Sequence, residues 1–287
     1  MRIQHNIMAM NSYRNYNNNT SALSKNLEKL SSGYKINRAG DDAAGLALSE
    51  KMRAQITGLD AAYKNTKDAT SLIKTAEGAL QEVQDMLNRM VYLAEESANG
   101  VYDNDVDRPA LQSEVDALQT EIERIADSAN FNGKKLFSST ANMASGSFIF
   151  QIGDTANTYD KLSMATILTA GADLRTLLKY ALAINISTVA GASEAIGILK
   201  SNVATSAINA ISDLRGKLGA TQNRLDHTLN NLSVMKENIQ DAESTVRDTD
   251  VAEEMMSYTK NNILIQSAQA MLAQSNAVPQ GVLQLLQ

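Results

Sequence analysis

The sequence predicts a mainly α protein, an elongated antiparallel helical bundle or coiled coil with one small β-hairpin region. Two observations lead to this fold class. Apolar residues recur at alternating steps of four and three over long stretches, as they do where one helix face packs on another. The chain of 287 residues also contains only two prolines, Pro109 and Pro279, so long helices can run without interruption.

The first heptad segment lies between Gly40 and the turn at Asn99-Gly100. It contains two registers, and one phase slip near Ile73 is expected to separate them. Its heptad positions are Met52, Ile56, Leu59 and Tyr63, followed by Ile73, Ala76, Leu80, Val83, Leu87, Met90 and Ala94. A helix of about 55 residues would be about 80 Å long at 1.5 Å per residue.

Two further heptad segments supply the partner helices. The second follows the turn at Gly100 without a break in the pattern and is expected to fold back antiparallel on the first. Its apolar positions are Leu111, Val115, Leu118, Ile122, Ile125 and Ala129. The third lies in the carboxyl half of the chain, with apolar positions at Leu218, Leu225, Leu229, Leu232, Ile239 and Val246.

Local signals mark helix ends and one hairpin. Asp41 and Asp42 provide acceptors for the unpaired N–H groups of a helix start, and Gly100 is typical of a helix stop. Between Phe131 and Thr166 the stretch Gly-Ser-Phe-Ile-Phe-Gln-Ile-Gly precedes turn residues and a second short apolar run. This pattern predicts a β-hairpin at about residues 146–167.

Both ends of the chain carry apolar residues and few charges, and we predict that they serve polymerisation. These residues are Ile3, Ile7, Met10, Leu23, Leu27, Leu30, Ile263, Leu264, Met271, Leu272, Val278, Val282, Leu285 and Leu286. Two interpretations are open. The ends pack on each other within one chain, or they order fully only when copies assemble.

We expect two helical domains, each built from both halves of the chain. Residues 1–40 with 250–287 form a terminal polymerisation domain. Residues 41–165 with 200–249 form a long-helix bundle that carries the hairpin. Residues 166–199, rich in small residues, form a short variable segment that is helical or irregular.

Composition argues against several classes of function. The net charge is −6 and the basic residues are scattered, which gives no electrostatic footprint for nucleic acid. The absence of cysteine excludes disulfides and thiolate chemistry. The amino terminus lacks the apolar core of a cleavable secretory signal. Polar residues interrupt the most apolar later stretch, from Tyr180 to Leu199, so no membrane span is predicted.

No catalytic, cofactor or metal site is predicted, and we expect that the chain is not an enzyme. Asp103, Asp105, Asp107 and Glu114 have the spacing of a calcium loop, but Arg108 stands where that loop needs glycine. An acidic turn that caps a helix is the better interpretation. The two histidines are far apart and have no HExxH companion.

Several motifs resemble those of the bacterial flagellins. Residues 30–49, LSSGYKINRAGDDAAGLALS, are similar to the amino-terminal signature, and residues 271–286, MLAQSNAVPQGVLQLL, to the carboxyl-terminal signature. Residues 75–80 (TAEGAL), 131–134 (FNGK) and 218–225 (LGATQNRL) resemble internal motifs. The resemblance is to a short flagellin with little or no central variable domain.

The resemblance implies a structural subunit that polymerises into the extracellular bacterial flagellar filament and serves motility. It implies secretion through the flagellar export channel, without a cleaved signal. It also implies three kinds of partner besides other copies of the chain. These are an export chaperone on the tail from Val251 to Gln287, the filament cap and junction proteins, and the innate immune receptor Toll-like receptor five.

The receptor-binding positions that the resemblance implies are Arg89, Leu93 and Glu114. Val91 and Tyr92 stand where charged residues are usual in enterobacterial flagellins. From the residues alone, a solvated charge pair between antiparallel helices is the favoured interpretation of Arg89 and Glu114. Two alternative functions are also left open, a hook–filament junction protein and a non-flagellar coiled-coil interaction protein.

Overall fold

The computed structural model describes residues 6–137, 148–164, 178, 181–201 and 206–285. The mainly α prediction is confirmed. The helices are α1 (Ile7–Ser32), α2 (Ala43–Ser97), α3 (Asp107–Ser128), α4 (Val189–Ile196), α5 (Ala207–Arg247) and α6 (Val251–Leu285). The strands are β1 (Asn130–Phe131), β2 (Lys134–Lys135), β3 (Ile149–Gln151) and β4 (Lys161–Ser163).

The chain divides into two compact units. Unit 1 comprises Met1–Ile56 and Glu237–Gln287, and unit 2 comprises Thr57–Lys236. These boundaries lie inside α2 and α5, whereas the sequence-based division followed the loops near residues 40 and 250. Of the expected variable segment 166–199, residues 166–177, 179 and 180 lie outside the described residues. A short 3-10 turn and α4 occupy most of its remainder.

Unit 2 has an apolar core to which α2, α3 and α5 all contribute. Heptad residues of all three helices are fully buried, among them Leu80, Val83, Leu87, Met90, Val115, Ile122, Leu218 and Leu225. Polar contacts along α2 and α5 show that these helices are antiparallel. Arg215 Nη1 donates to Gln84 Oε1 at 3.1 Å, and further along Lys236 Nζ donates to Asp60 Oδ1 at 2.7 Å.

The buried side of α2 corrects the predicted register. Tyr63 is 38% exposed, and the buried positions instead follow an unbroken three-four pattern where a phase slip was expected. Those positions are Leu59, Ala62, Thr66, Ala69 and Ile73. Thr66 can be buried because its hydroxyl donates to the carbonyl of Ala62 at 2.7 Å. A pattern search that counts only large apolar residues misses such a position.

The described residues form two hairpins where one was predicted. β3 and β4 pair antiparallel, with Phe150 opposite Leu162, which confirms the predicted hairpin. β1 and β2 form the second hairpin around Asn132 and Gly133, which have φ values of 51° and 76°. Two successive residues with positive φ make the tight turn that Asn-Gly favours. The sequence carried this signal, and the prediction of a single hairpin was wrong.

In unit 1, the segment after α1 pairs with the turn between α5 and α6. Lys35 N–H donates to the carbonyl of Arg247 at 2.7 Å, and Thr249 N–H donates to that of Gly33 at 3.0 Å. The Arg247 guanidinium stacks on the ring of Tyr34, 4.6 Å from its centroid. Gly33 ends α1 in the left-handed region, with φ 76°, which glycine adopts without strain.

A carboxylate between two lysines predicts a pH dependence of unit 2. Asp60 accepts from Lys236 of α5 and from Lys64 of its own helix, both at 2.7 Å. These hydrogen bonds, that of Lys236 first, lower the pKa of Asp60 from 3.8 to about 2. Because the pKa is lower in the folded chain, the pairing stabilises the fold above about pH 4 and is lost as the pH falls towards about 2.

We therefore expect the melting temperatures of the wild type and of Asp60→Asn to converge as the pH is lowered from about 5 to about 2. Thermal unfolding followed by circular dichroism measures this difference. Lys236→Met serves as a second variant, since it removes the first of the two partners. A difference between wild type and Asp60→Asn that stays constant over this range would contradict the assignment.

Candidate functional site

Helices α1 and α6 pack as an antiparallel pair through a seam in which small and polar residues alternate with a few large aliphatic ones. Inward-facing positions follow the three-four step on both helices. On α1 they are Ala9, Ser12, Tyr16, Asn19, Leu23, Asn26 and Leu30, and on α6 they are Glu254, Tyr258, Asn261, Ile265, Ala268, Leu272 and Ser275. Among the described side chains of this pair, only Asn26 and Ser275 are buried, at 9% and 7% exposure, and both are polar.

Hydrogen bonds fix the register of the pair near the carboxyl end of α1. With its amide oriented to serve all its partners, Asn26 donates to Glu254 Oε1 at 3.1 Å. It also accepts from Asn261 Nδ2 at 3.1 Å and from the N–H of Tyr258 at 3.2 Å. Lys29 Nζ lies 3.7 Å from Glu254 Oε2. A buried asparagine sets helix register at a cost in stability, so this seam specifies the pairing more than it stabilises it.

The large apolar side chains of the pair lie mainly outside the seam. Twelve of them are between 39% and 68% exposed: Ile7, Met8, Met10, Tyr13, Leu27, Val251, Met255, Met256, Ile263, Leu264, Met271 and Val278. Leu264, Met271 and Val278 are seven residues apart and therefore form one stripe along α6. We call these twelve residues the terminal apolar surface. Exposed apolar patches of this kind mark interaction sites in soluble proteins.

Part of this surface is concave. A cleft of about 290 Å³ lies between α1 and α6. Its lining residues are Met8, Asn11, Ser12, Met271, Gln274, Ser275 and Val278. Asn6 Nδ2 donates to the carbonyl of Ser275 at 2.8 Å at this end of the pair.

The predicted polymerisation residues fall into three groups. Those exposed on the terminal apolar surface are Ile7, Met10, Leu27, Ile263, Leu264, Met271 and Val278. Those half-buried in the seam are Leu23, Leu30 and Leu272. The side chains of Ile3, Val282, Leu285 and Leu286 lie outside the described residues. The two ends of the chain thus pack on each other, and this packing leaves most of the described predicted residues exposed.

A second candidate surface lies on α2 and α3 in unit 2. Arg89 donates from Nε and Nη2 to the two carboxylate oxygens of Glu114, at 2.7 and 3.1 Å. The guanidinium also lies 5.1 Å from the ring centroid of Tyr92. The hydrogen bonds to Glu114 raise the pKa of Arg89. Both side chains of the ion pair are nearly half exposed, so the pair is accessible to a partner.

Leu93 does not belong to this surface. It is 1% exposed and is part of the unit 2 core, as are Met90 and Ala94. The buried side of α2 is wider here than a two-position heptad seam, and residues of α3, of α5 and of the segment 181–201 all belong to the same core. The exposed apolar residue beside the ion pair is Tyr92, at 57%.

The acidic stretch before α3 forms a hydrogen-bonded turn. Asp107 Oδ2 accepts from the N–H of Asp103 at 3.1 Å, and Asp103 Oδ1 accepts from that of Asp105 at the same distance. Within the described ranges, no three His, Cys, Asp or Glu side chains are grouped as a metal ion would require. A search of the same ranges finds no helix with the length and hydropathy of a membrane span.

Arg108, which follows this turn, is a structural residue that sequence reasoning missed. It is 2% exposed, and its guanidinium donates to the carbonyls of Ser97 and Asn99, both at 3.0 Å, and to Asn104 Oδ1. The side chain thereby satisfies acceptors at the end of α2. Asn26 was missed in the same way, because a buried polar residue in a helix has no periodic signature.

The fold and its exposed terminal helix pair define a class of self-associating helical structural proteins. The family described as bacterial flagellin N-terminal helical region matches residues 3–142, and that described as bacterial flagellin C-terminal helical region matches residues 202–286. The chain therefore belongs to the bacterial flagellin family.

Two relatives that match over their full length agree with this assignment. The flagellin of Bacillus subtilis (strain 168) is 46% identical over 315 residues, covering 100% of both chains. A flagellar filament 33 kDa core protein of Treponema phagedenis is 44% identical over 292 residues, again covering 100% of both. Among solved structures, the crystal structure of Bacillus cereus flagellin is 32% identical, covers 59% of this chain and 88% of that chain, and has a TM-score of 0.49.

The flagellins are structural proteins and not enzymes, which confirms the predicted absence of enzymatic activity. The chain is a structural subunit of the extracellular flagellar filament, where copies polymerise with one another. The chain is 46% identical to a flagellin and 44% identical to a filament core protein over their full lengths. These matches favour the filament subunit over the two alternatives that the sequence left open.

Proposed function

We propose that the terminal apolar surface of α1 and α6 is the surface through which copies of this chain contact one another in the filament. The observation that carries the proposal is an inversion of the usual helix pattern. Polar residues such as Asn26 and Ser275 are buried in the seam, while large apolar residues such as Met256 are up to 68% exposed. A chain that remained alone in water would gain stability from the opposite arrangement.

The occupant of this surface is a second copy of the same chain. Residues 261–287 contain no Asp, Glu, Lys or Arg, and residues 7–24 contain Arg14 as their one charged residue. These two ranges hold eight of the twelve residues of the terminal apolar surface, and over them identical copies can approach each other with little electrostatic repulsion and little cost of desolvating ions. A continuous stripe such as Leu264–Met271–Val278 gives a partner helix heptad-spaced contacts.

Before assembly the same surface must be bound by another protein, because exposed apolar helices aggregate. We expect an export chaperone to bind residues 251–287, and we expect secretion through the flagellar export channel to deliver the chain to the filament tip. Cap and junction proteins are the further partners expected at the two ends of the filament. Binding of a chaperone to a peptide of residues 251–287, and not to one of residues 207–247, would support this part of the proposal.

Arg89 and Glu114 are proposed as contacts for Toll-like receptor five. Two observations support this proposal. Both side chains are exposed, and the bidentate ion pair and the stacked Tyr92 hold a charged and an aromatic group in one arrangement. Leu93 supports this surface indirectly, because it is a core residue whose packing stabilises α2. The receptor contact itself is expected from Arg89 and Glu114 alone among the three predicted residues.

Substitution of Leu264 by lysine tests the assembly surface. We expect Leu264→Lys to raise the critical concentration for polymerisation by about thirtyfold or more, because an unpaired charge at an apolar contact costs at least about 2 kcal/mol. Lysine is a good helix former, so α6 should remain intact. Sedimentation and electron microscopy measure the polymer, and circular dichroism reports the helices.

Gln266→Lys is the matched control, since it adds the same charge at an exposed polar position of the same helix. We expect a much smaller effect on polymerisation from this variant. Equal loss of polymer in both variants, or normal assembly of Leu264→Lys, would contradict the assignment of the contact to the apolar stripe.

A further inference from the structure

The terminal apolar surface is rich in methionine. Five of its residues are thioethers that are between 48% and 68% exposed, namely Met8, Met10, Met255, Met256 and Met271. In unit 2, by contrast, Met90 and Met164 are completely buried. Met235 of unit 2 is 41% exposed and lies outside the terminal apolar surface.

Two of these methionines share one cleft. Met8 from α1 and Met271 from α6 line it together with Val278, and the amides of Asn11 and Gln274 lie at its walls. Both sulfur-bearing side chains are open to water, since Met8 is 66% and Met271 58% exposed. A small oxidant can therefore reach them in the unassembled chain.

We propose that these five methionines form an oxidation site through which peroxide-class oxidants weaken assembly. The proposal rests on the proposed function of the surface. The thioether sulfur attacks one oxygen of hydrogen peroxide, and the O–O bond breaks. The displaced hydroxide then takes the proton from the oxygen now bound to sulfur and leaves as water. Sulfur is oxidised by two electrons and the peroxide is reduced by two, so that methionine becomes its sulfoxide.

A sulfoxide changes the surface and leaves the helix pair in place. The new oxygen is a strong acceptor that adds no donor, and the partner copy would meet it with apolar side chains. Within the chain the seam is held by contacts that do not involve these sulfurs, such as those of Asn26 with Glu254 and Asn261. Oxidation is therefore expected to reduce association without unfolding α1 or α6.

The test uses full-length unassembled chain treated with graded hydrogen peroxide. Peptide mass spectrometry measures the added oxygen at each methionine, and sedimentation measures the critical concentration. We expect oxidation to raise the critical concentration by about tenfold, because a polar oxygen without a partner at an apolar contact costs at least about 1.4 kcal/mol. Met90 and Met164 should stay unmodified, and methionine sulfoxide reductases with a dithiol should restore assembly.

The decisive comparison is between each variant and its own untreated sample. In a variant with leucine at all five positions, peroxide should not raise the critical concentration. In Met235→Leu, peroxide should raise it as much as in the wild type. A wild type that assembles normally with the five sulfoxides present, or an equal rise in the five-leucine variant, would overturn the inference. If Leu264→Lys polymerises poorly while the sulfoxides do not change the critical concentration, this inference fails and the proposed function stands.

Discussion

Leu93→Ala is expected to destabilise unit 2 by about 3 kcal/mol, since removing a buried leucine loses its burial and leaves a cavity. Leu93 is 1% exposed in a core to which three long helices, the β3–β4 hairpin and the segment 181–199 contribute, which leaves little freedom for neighbouring side chains to fill the space. Chemical denaturation followed by circular dichroism measures the change. Among the three predicted receptor positions, this one should therefore affect folding most.

Two neighbouring substitutions complete the test. Tyr92→Ala and Arg89→Ala change exposed side chains of the same helix, and we expect neither to shift the unfolding midpoint of unit 2 appreciably. In a receptor-binding assay, Arg89→Ala should reduce binding by a fully folded chain. A stable Leu93→Ala variant that had lost binding would instead place Leu93 in the receptor contact.

Arg108→Met is expected to destabilise unit 2 by about 2 kcal/mol. Methionine fills much of the same volume but leaves the carbonyl of the buried Ser97 without its guanidinium donor, and an unsatisfied buried acceptor costs about 1–3 kcal/mol. Chemical denaturation again measures the loss, and hydrogen exchange should show early opening of the end of α2.

The matched control for Arg108→Met is Arg124→Met. Arg124 makes an exposed ion pair with Glu121 of its own helix, and such pairs contribute little to stability. We expect no measurable change from this substitution. A loss of stability below about 1 kcal/mol in Arg108→Met would mean that water replaces the guanidinium at this carbonyl.

Helix existence and helix ends were predictable because local signals determine them. The heptads together with Gly100 located α2 and α3, and the structure ends α2 at Ser97 and begins α3 at Asp107. The register was less predictable, because it depends on small and polar residues that packing admits to a seam. Thr66 is one such residue, and its hydroxyl is satisfied within its own helix.

The terminal helices show a different limit of sequence reasoning. Amphipathic patterns assume that the alternative to the core is water, so they do not separate residues that pack within the chain from residues that contact another copy. In the structure Leu272 lies in the seam while Met271, its neighbour, is 58% exposed. A helix with a second packing partner in its assembly has two apolar faces, and a single chain reveals only one of them.

The uncharged stretch from residue 261 to the carboxyl end has a consequence for how the filament responds to its surroundings. Contacts made by side chains without ionisable groups are not screened by salt and do not titrate. Whatever sensitivity the polymer has to acid or to ionic strength must then originate elsewhere, in groups such as Asp60 and its two lysines. If this stretch makes the subunit contacts proposed above, those contacts would not depend on charge screening or on titration.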